Sequence, residues 1–403
     1  MRVLLTTRGS SGHVLPLAPF GHACRRAGHE VLVAAQRQHA ANVARAGLAS
    51  ALVGDPPPEE WMALMAPFPQ LGIDESNALM IGRFFADIDV RAALPGLRTV
   101  VEDFRPDVIV RESWEFGSAL VAELNDIPIV RVGLGLAAVE ELSVRHAAPA
   151  VDERRIALGL PPDPAGDRLR ETPYLTMVPE ALDDIAATAP GRTHRYSAGA
   201  LGSMDAEVPP LGDWFAGNDD PLVYMSFGSV AGGAHLPYFP ALYQAAIAAL
   251  APLPIRLLVT IGDGPDPADL GPLPANVHAE RWVAQDAVAP HAAAIVGHGG
   301  YGSMLGALRH GVPLVVLPLF SADQWANAAA VQRTGAGIAL DPDRATRRSL
   351  GLPGDDVVGG LAPAVRDLLA DPSYTRAAAQ IAQASAVLPS VDEAVEVLRG
   401  YAT

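Results

Sequence analysis

Short apolar runs, each closed by a turn bearing glycine or proline, alternate along this chain with stretches whose apolar positions recur every three or four residues. The first run is "RVLLTT" at 2–7, followed by the turn "RGSSGH". The segment "VLPLAPFGHACRRAG" then has helical spacing and stops at Gly28, where a glycine closes helices well. "HEVLVAAQ" is the next strand, and the three elements make a βαβ unit. "PDVIVRE" and "IPIVRVG" repeat the strand signature, with the helical "FGSALVAELN" between them. Strands that are apolar throughout suit a parallel sheet covered on both faces. The first half therefore reads as a doubly wound α/β domain.

The periodicity lapses before a second series begins. Pro, Gly and Asp cluster there, and the reading places a linker at 206–220. Beyond it, "LVYMSFGS", "IRLLVTIGD", "ANVHAERWV", "AIVGHGG" and "VPLVVLPL" read as strands, and "LPYFPALYQAAIAAL" reads as a helix. From about 373 the chain is helical and Ala-rich. The expected division is a domain at 1–205, a linker at 206–220, a second domain at 221–372, and a helical tail at 373–403 that packs back toward the first domain.

Composition narrows the classes. A length of 403 residues suits two domains. The formal net charge of -16 argues against a nucleic-acid partner, which would want basic surface. Every basic side chain other than histidine is Arg. Cys24 is the single cysteine, which excludes an intrachain disulfide and reads as a packed thiol on a helix face. "MRVLLTT" enters a strand directly, unlike a signal peptide. The longest apolar runs, such as "VPLVVLPLF", fall short of the ~20 residues that span a bilayer. A cytoplasmic protein without a membrane span is the expectation.

Candidate chemistry concentrates in "IVGHGGYGSMLGALRHG" at 295–311. His298 ends a strand, and Gly299, Gly300 and Gly302 precede a helix of about two turns closed by Gly311. A helix N-terminus carries unpaired N–H groups and partial positive charge, and bare glycine backbone lets an anion approach them. Ser303 adds a hydroxyl and His298 an imidazole. The competing reading is an ordinary tight β–α turn. The loops 226–233, 281–285 and 320–324 fall at the carboxyl ends of neighbouring strands, the edge at which open parallel sheets bind ligands. Ser321 with Gln324 matches a capping box. Asp323 and Gln324 are also suited to gripping vicinal hydroxyls of a sugar, and the two roles are compatible.

"RWVAQ" followed by "HGGYGSMLGALRHGVPLVVLPLFSADQWANA" resembles the nucleotide-sugar signature of family 1 glycosyltransferases with the GT-B fold. The likeness is greatest to the actinobacterial enzymes that attach deoxysugars to antibiotic aglycones. "SSGHVLPLAPFGHACRRAGHEV" matches the same family's opening motif, so the resemblance spans nearly the whole chain. It implies an α/β fold of two Rossmann-like doubly wound domains facing across a cleft. It also implies a nucleotide-sugar donor, a dTDP-deoxysugar, together with a hydrophobic aglycone acceptor, no metal, and room for a homodimer. Position by position, Trp282 would stack on the nucleobase and the backbone at Val283 would pair with its edge. His298, Gly300, Gly302 and Ser303 would hold the diphosphate, with Ser229 near the phosphates. Asp323 and Gln324 would hold the sugar, and His13 would be the general base. Many relatives have Pro where this chain has Ala284.

His13 also has a case of its own. It follows Gly12 at the first β–α turn, at an expected helix N-terminus whose dipole disfavours imidazolium and leaves a ring able to accept a proton. A helix-capping histidine is the bland alternative. Relatives orient this base with an acid, commonly Asp, on a later strand; here Glu112 ends "DVIVRE", and Glu115 stands one turn away. Glu112 is the choice, against the plainer reading of a solvated carboxylate. Residues 57–95 gather Trp61, Met62, Met65, Phe68, Met80, Phe84 and Phe85, either as core or as an adaptable wall for a large acceptor. Asp263, Asp266 and Asp269 sit among Pro and Gly and read as turn residues, not metal ligands. Three other readings stand beside this one: a UDP-glucose-dependent enzyme acting on macrolides or xenobiotics, a UDP-sugar 2-epimerase, and a catalytically silent auxiliary homologue. "RGSSGH" lacks the G-x-G-x-x-G spacing of a dinucleotide site, which disfavours a dehydrogenase.

Overall fold

The computed structural model describes residues 1–183, 193–197, 219–232, 236–262, 264–341 and 343–402. Two compact units are formed: Met1–Phe68 with Asp74–Met204 and Val387–Thr403, and Pro69–Ile73 with Asp205–Ala386. Most of the expected linker, 206–218, lies outside the described residues.

The first unit holds a seven-stranded sheet in the order β3-β2-β1-β4-β5-β6-β7. Its strands are β1 Arg2–Thr7, β2 Glu30–Gln36, β3 Ser50–Val53, β4 Val108–Glu112, β5 Ile129–Val132, β6 Tyr174–Thr176 and β7 Thr193–Arg195, all paired in parallel. Val3, Leu4, Leu5, Val108 and Ile109 are fully buried, which explains why β1 and β4 read as unbroken apolar runs. The helix Ser11–Arg26 follows β1, ends on two arginines that suit its negative pole, and passes through the Ala27 cap into Gly28 at φ 79°. Cys24 is buried on this helix, and burial pushes its thiol up to about 11, so it packs as a small apolar group. The helix Ala394–Ala402 packs against Ser11–Arg26 in the same unit.

The second unit has a six-stranded parallel sheet in the order β10-β9-β8-β11-β12-β13. Its strands are β8 Leu222–Ser226, β9 Arg256–Thr260, β10 Val277–Glu280, β11 Ala292–Gly297, β12 Leu314–Val316 and β13 Gly337–Ala339. The helix Pro372–Ala386 packs here on the helix Tyr301–Arg309. A short excursion from the first half also belongs to this unit: Gly72 bridges Arg348, and the Leu71 carbonyl accepts from the Ser349 N–H at 3.0 Å. The helix expected over 236–250 is confined to Ala241–Leu250. Pro237 and Pro240 account for the shortening, because each pushes the residue before it out of helical geometry.

Both sheets are wound alike. The chain's first strand in each sheet lies beside its fourth, and the winding proceeds outward in opposite directions from that pair. Crevices in such sheets open above the carboxyl ends of that pair. In the first unit these are the ends of β1 and β4; in the second they are the ends of β8 and β11. Among the described residues, no helix is long and apolar enough to cross a membrane.

Leu4 lies on the interior strand β1 of its sheet and Leu257 on the interior strand β9 of the other, and both are fully buried. Leu4→Ala and Leu257→Ala should each destabilise their own unit by about 2–5 kcal/mol, read as a lowered urea midpoint.

Candidate active site

The crevice of the first unit is built on a hydrogen-bonded imidazole–carboxylate pair. Ser10 takes the N-cap position, and its carbonyl accepts the N–H of His13 at 2.9 Å and of Val14 at 3.0 Å. His13 thus sits on the first turn as a helical residue and not as its cap. Its Nδ1 lies 2.8 Å from Glu112 Oε1. Glu112 ends β4 and is fully buried. Its Oε2 accepts the Trp114 N–H at 2.6 Å, and the Arg8 N–H approaches Oε1 at 3.3 Å. Burial pushes the Glu112 carboxyl up, but His13 and these main-chain donors outweigh it and hold the group below its usual range. An ionised carboxylate only accepts, so the imidazole proton resides on Nδ1 and the lone pair on Nε2.

Glu115, the other carboxylate considered, is taken up elsewhere. It accepts from the hydroxyls of Thr6 and Ser118 and from the Ser118 N–H, and burial pushes it up. Arg111 is fully buried, with Nη1 donating to the carbonyls of Glu112, Ser113 and Glu115, which fixes the turn beyond β4.

The bulky residues of 57–95 reach this pair through aromatic contacts. Phe85 and Trp114 stand edge-on to the His13 ring at 6.3 and 5.8 Å. Phe84 packs on Phe85 at 5.8 Å, and Trp61 on Phe84 at 4.7 Å. Phe84 and Phe85 lie in a π-helical stretch, Met80–Ile88, that runs into the helix Asp89–Phe104. Phe68, Phe84 and Phe85 are buried, whereas Met62 is 65% exposed. The region therefore contributes to the core and also leaves apolar surface exposed.

In the second unit, glycines hold an imidazole in place. Gly228, at φ 82° after β8, and Gly300 flank His298, the residue beyond β11. A Cβ on Gly228 would fall 2.6 Å from His298 Cε1, and one on Gly300 would fall 2.6 Å from Nε2. Gly299 has φ 83°, and a Cβ there would meet Val316 and the Gln324 carbonyl below 3.0 Å. A Cβ on Gly302 would meet nothing within 4 Å. Gly300 takes the N-cap position of the helix Tyr301–Arg309 and brings no side chain to cap it. Burial draws His298 down to about 4, against a weaker opposing pull from the main chain of Ser226, so the ring is neutral. Its enclosed Nδ1 makes no hydrogen bond of normal geometry. The cradle of bare backbone, helix pole and neutral imidazole is suited to a polyanion.

Other expected residues join this cradle or stand beside it. Ser303 lies on the first turn of Tyr301–Arg309, and its carbonyl accepts from Gln285 Nε2 at 2.8 Å, which ties 281–285 to that helix. Trp282 is 46% exposed, and Val283 is buried. Ser229 is exposed in the short helix Gly228–Ala231 that follows β8. The capping box expected of Ser321 and Gln324 does not form. The Ser321 hydroxyl donates to Asp323, and Gln324 Oε1 turns back to accept the N–H groups of Leu319 at 2.8 Å and Phe320 at 3.1 Å. Gln324 is nearly fully buried, so this oxygen braces the loop after β12. Asp266 accepts from the Ala268 N–H at 3.0 Å as a turn residue, and Asp263 lies outside the described residues. Among the described residues, no group of three or more His, Cys, Asp or Glu is arranged to hold a metal.

Sequence reasoning passed over Asn327. It is fully buried, and its Nδ2 donates to the Gly299 carbonyl at 2.8 Å, pinning the glycine loop. A helical step of three from Gln324 was the available signal, since it puts both polar side chains on one face.

Two parallel sheets of this winding, with their helices, correspond to the GT-B architecture. Residues 245–400 match the family model described as "Erythromycin biosynthesis protein CIII-like, C-terminal domain". The L-demethylnoviosyl transferase of Streptomyces niveus is 33% identical over 347 residues, 85% of this chain and 86% of that protein. The 4'-demethylrebeccamycin synthase of Lentzea aerocolonigenes is 29% identical over 99% of both chains. The SsfS6 glycosyltransferase of Streptomyces sp. SF2575, solved with thymidine diphosphate, matches with a TM-score of 0.76 at 25% identity, covering 99% of each chain. The chain belongs to the actinobacterial antibiotic glycosyltransferases with the GT-B fold.

The low value at His298 has a consequence for acid stability. An unfolded histidine binds its proton near 6.5, whereas the folded ring waits until about 4. Between these values the unfolded chain binds more protons, so stability is lost as pH falls from 6.5 toward 4. Between pH 7.5 and 4.5, the stability advantage of wild type over His298→Gln should shrink by about 2–3 kcal/mol, measured from urea midpoints at each pH.

Proposed function

We propose that this chain transfers a sugar from a dTDP-sugar to a hydroxyl of a hydrophobic natural-product aglycone, with inversion at the anomeric carbon. The observation that carries the reading is the 2.8 Å contact between His13 Nδ1 and the buried Glu112 carboxylate. The proton on Nδ1 leaves Nε2 as the base. His13 Nε2 takes the acceptor proton as the acceptor oxygen forms its bond to the anomeric carbon, and the bond to the diphosphate breaks on the opposite face. Glu112 balances the imidazolium that results. Such a base is worth about 10²–10⁴-fold in rate.

The leaving diphosphate belongs to the second unit. His298, Gly300, Gly302 and Ser303 hold it in this reading, with Ser229 beside it, and the positive pole of Tyr301–Arg309 takes up its developing charge. Trp282 stacks on the base, and the backbone at Val283 pairs with its edge. Asp323 takes sugar hydroxyls, and Gln324 takes them through the amide nitrogen, since its oxygen serves the Leu319 and Phe320 N–H groups. Thymidine as the nucleoside is supported by the thymidine diphosphate bound to the similar Streptomyces enzyme. A large apolar acceptor is supported by the aromatic residues from Trp61 to Phe85 that lead to His13.

Calorimetry should show dTDP binding more tightly than UDP, and the reverse order would move the donor to a UDP-sugar. Gly300→Ala places a Cβ against His298 and should weaken dTDP at least tenfold. His13→Ala should lower turnover about 10²–10⁴-fold while dTDP affinity stays within about twofold of wild type. Near-normal turnover in that variant would remove His13 from the role of base.

A further inference from the structure

Arg8 touches both parts of the apparatus around His13, and the sequence pattern does not mark it. It follows β1 directly, and its main-chain N–H approaches the same Glu112 Oε1 that pairs with the imidazole, at 3.3 Å. Its guanidinium pairs with Asp89, the first residue of the helix Asp89–Phe104. The guanidinium also lies 3.8 Å from the centre of the Phe85 ring and 5.1 Å from that of Phe84. Phe85 stands edge-on to His13 and packs at 5.4 Å on Trp114, whose N–H serves the other oxygen of Glu112. Both side chains of the ion pair are enclosed, 12% and 6% exposed. The turn that carries Arg8 continues through Gly9 at φ 95° to the cap of His13's helix.

Resting on the reading of His13 as the base, we propose that Arg8 is a positioning residue: its ion pair with Asp89 ties the turn after β1 to the π-helical stretch and so holds the His13 ring in the orientation and tautomer that Glu112 selects. Guanidinium stacking on an aromatic face is planar and directional, so the pair fixes Phe85 as well as the turn. With the pair broken, the turn loses its tie to the helix and Phe85 loses the group on its face. Burial already pushes the Asp89 carboxyl up, with Arg8 as its main counterweight, so Asp89 has strong reason to keep this partner. Among the described residues, the charged and titratable groups around His13 include Glu112, Asp89 and His39, with Arg8 beside Glu112 and Asp89.

The test needs neither donor nor acceptor. The full chain is labelled with ¹⁵N-histidine, and the shifts of both ring nitrogens of His13, assigned with His13→Gln, report its tautomer. Wild type should show a single Nδ1–H form. Arg8→Met and Asp89→Asn should each give shifts averaged between the two tautomers, and Arg8→Lys, which keeps the charge but loses the planar stack on Phe85, should fall between wild type and Arg8→Met. His22, whose Nε2 lies 2.9 Å from the Ala46 carbonyl in the same unit, should be unchanged and gauges the fold. A variant that moves His22 has lost the fold, and the decision then rests on the other partner's variant. A His13 ring that remains wholly Nδ1–H in folded Arg8→Met and Asp89→Asn overturns the inference and leaves the base reading intact. A wild-type ring without Nδ1–H overturns the pairing with Glu112 and the inference together.

Discussion

Winding a parallel sheet outward in both directions from one pair of strands makes the loops above that pair diverge. That constraint acts twice in this chain, at β1 with β4 and at β8 with β11. In each case the residues at and just beyond the carboxyl ends of these strands line the crevice above the pair. His13 and Glu112 occupy the first position, and Gly228 and His298 the second. The remaining features serve to hold these few side chains still.

The two histidines are held by opposite means. His13 is fixed by charge: a buried carboxylate, itself held below its usual range by His13 and by main-chain donors, selects one tautomer. His298 is fixed by shape: glycines on both sides leave room for a ring and for nothing more, and burial keeps it neutral. The Glu112 side chain is accommodated because the turn at Ser113–Glu115 is pinned by Arg111 and supplies the Trp114 N–H to the second oxygen.

Much of this was legible in the sequence, for physical reasons. Strands buried on both faces are apolar throughout and declare themselves, as β1, β4 and β8 do. Glycines past a helix end or before a helix start have conformational causes, as at Gly28 and Gly299. What escaped was set by tertiary partners. Ser321 and Gln324 have the spacing of a mutual cap, but Asp323 captures the serine and two upstream N–H groups capture the glutamine. Asn327 and Arg8 act on groups 28 and 81 positions away, the Gly299 carbonyl and Asp89, and no local pattern encodes such a partner. The aromatic cluster of 57–95 was visible as composition, whereas its contact with His13 depends on where the π-helical stretch places Phe85.

The segment Pro69–Ile73 carries a further implication for modular engineering. It lies within the first half of the gene, yet its backbone belongs to the second unit, where Gly72 bridges Arg348 and the Gln70 carbonyl receives Arg348 Nη1 at 2.6 Å. In the other direction, Val387–Thr403 belongs to the first unit. Recombining halves of two such enzymes at a single crossover therefore separates both segments from the bodies they complete. A hybrid that respects the architecture must bring 69–73 from the same parent as the second unit and 387–403 from the same parent as the first. Crossovers in a shuffled library are thus constrained at four junctions instead of one.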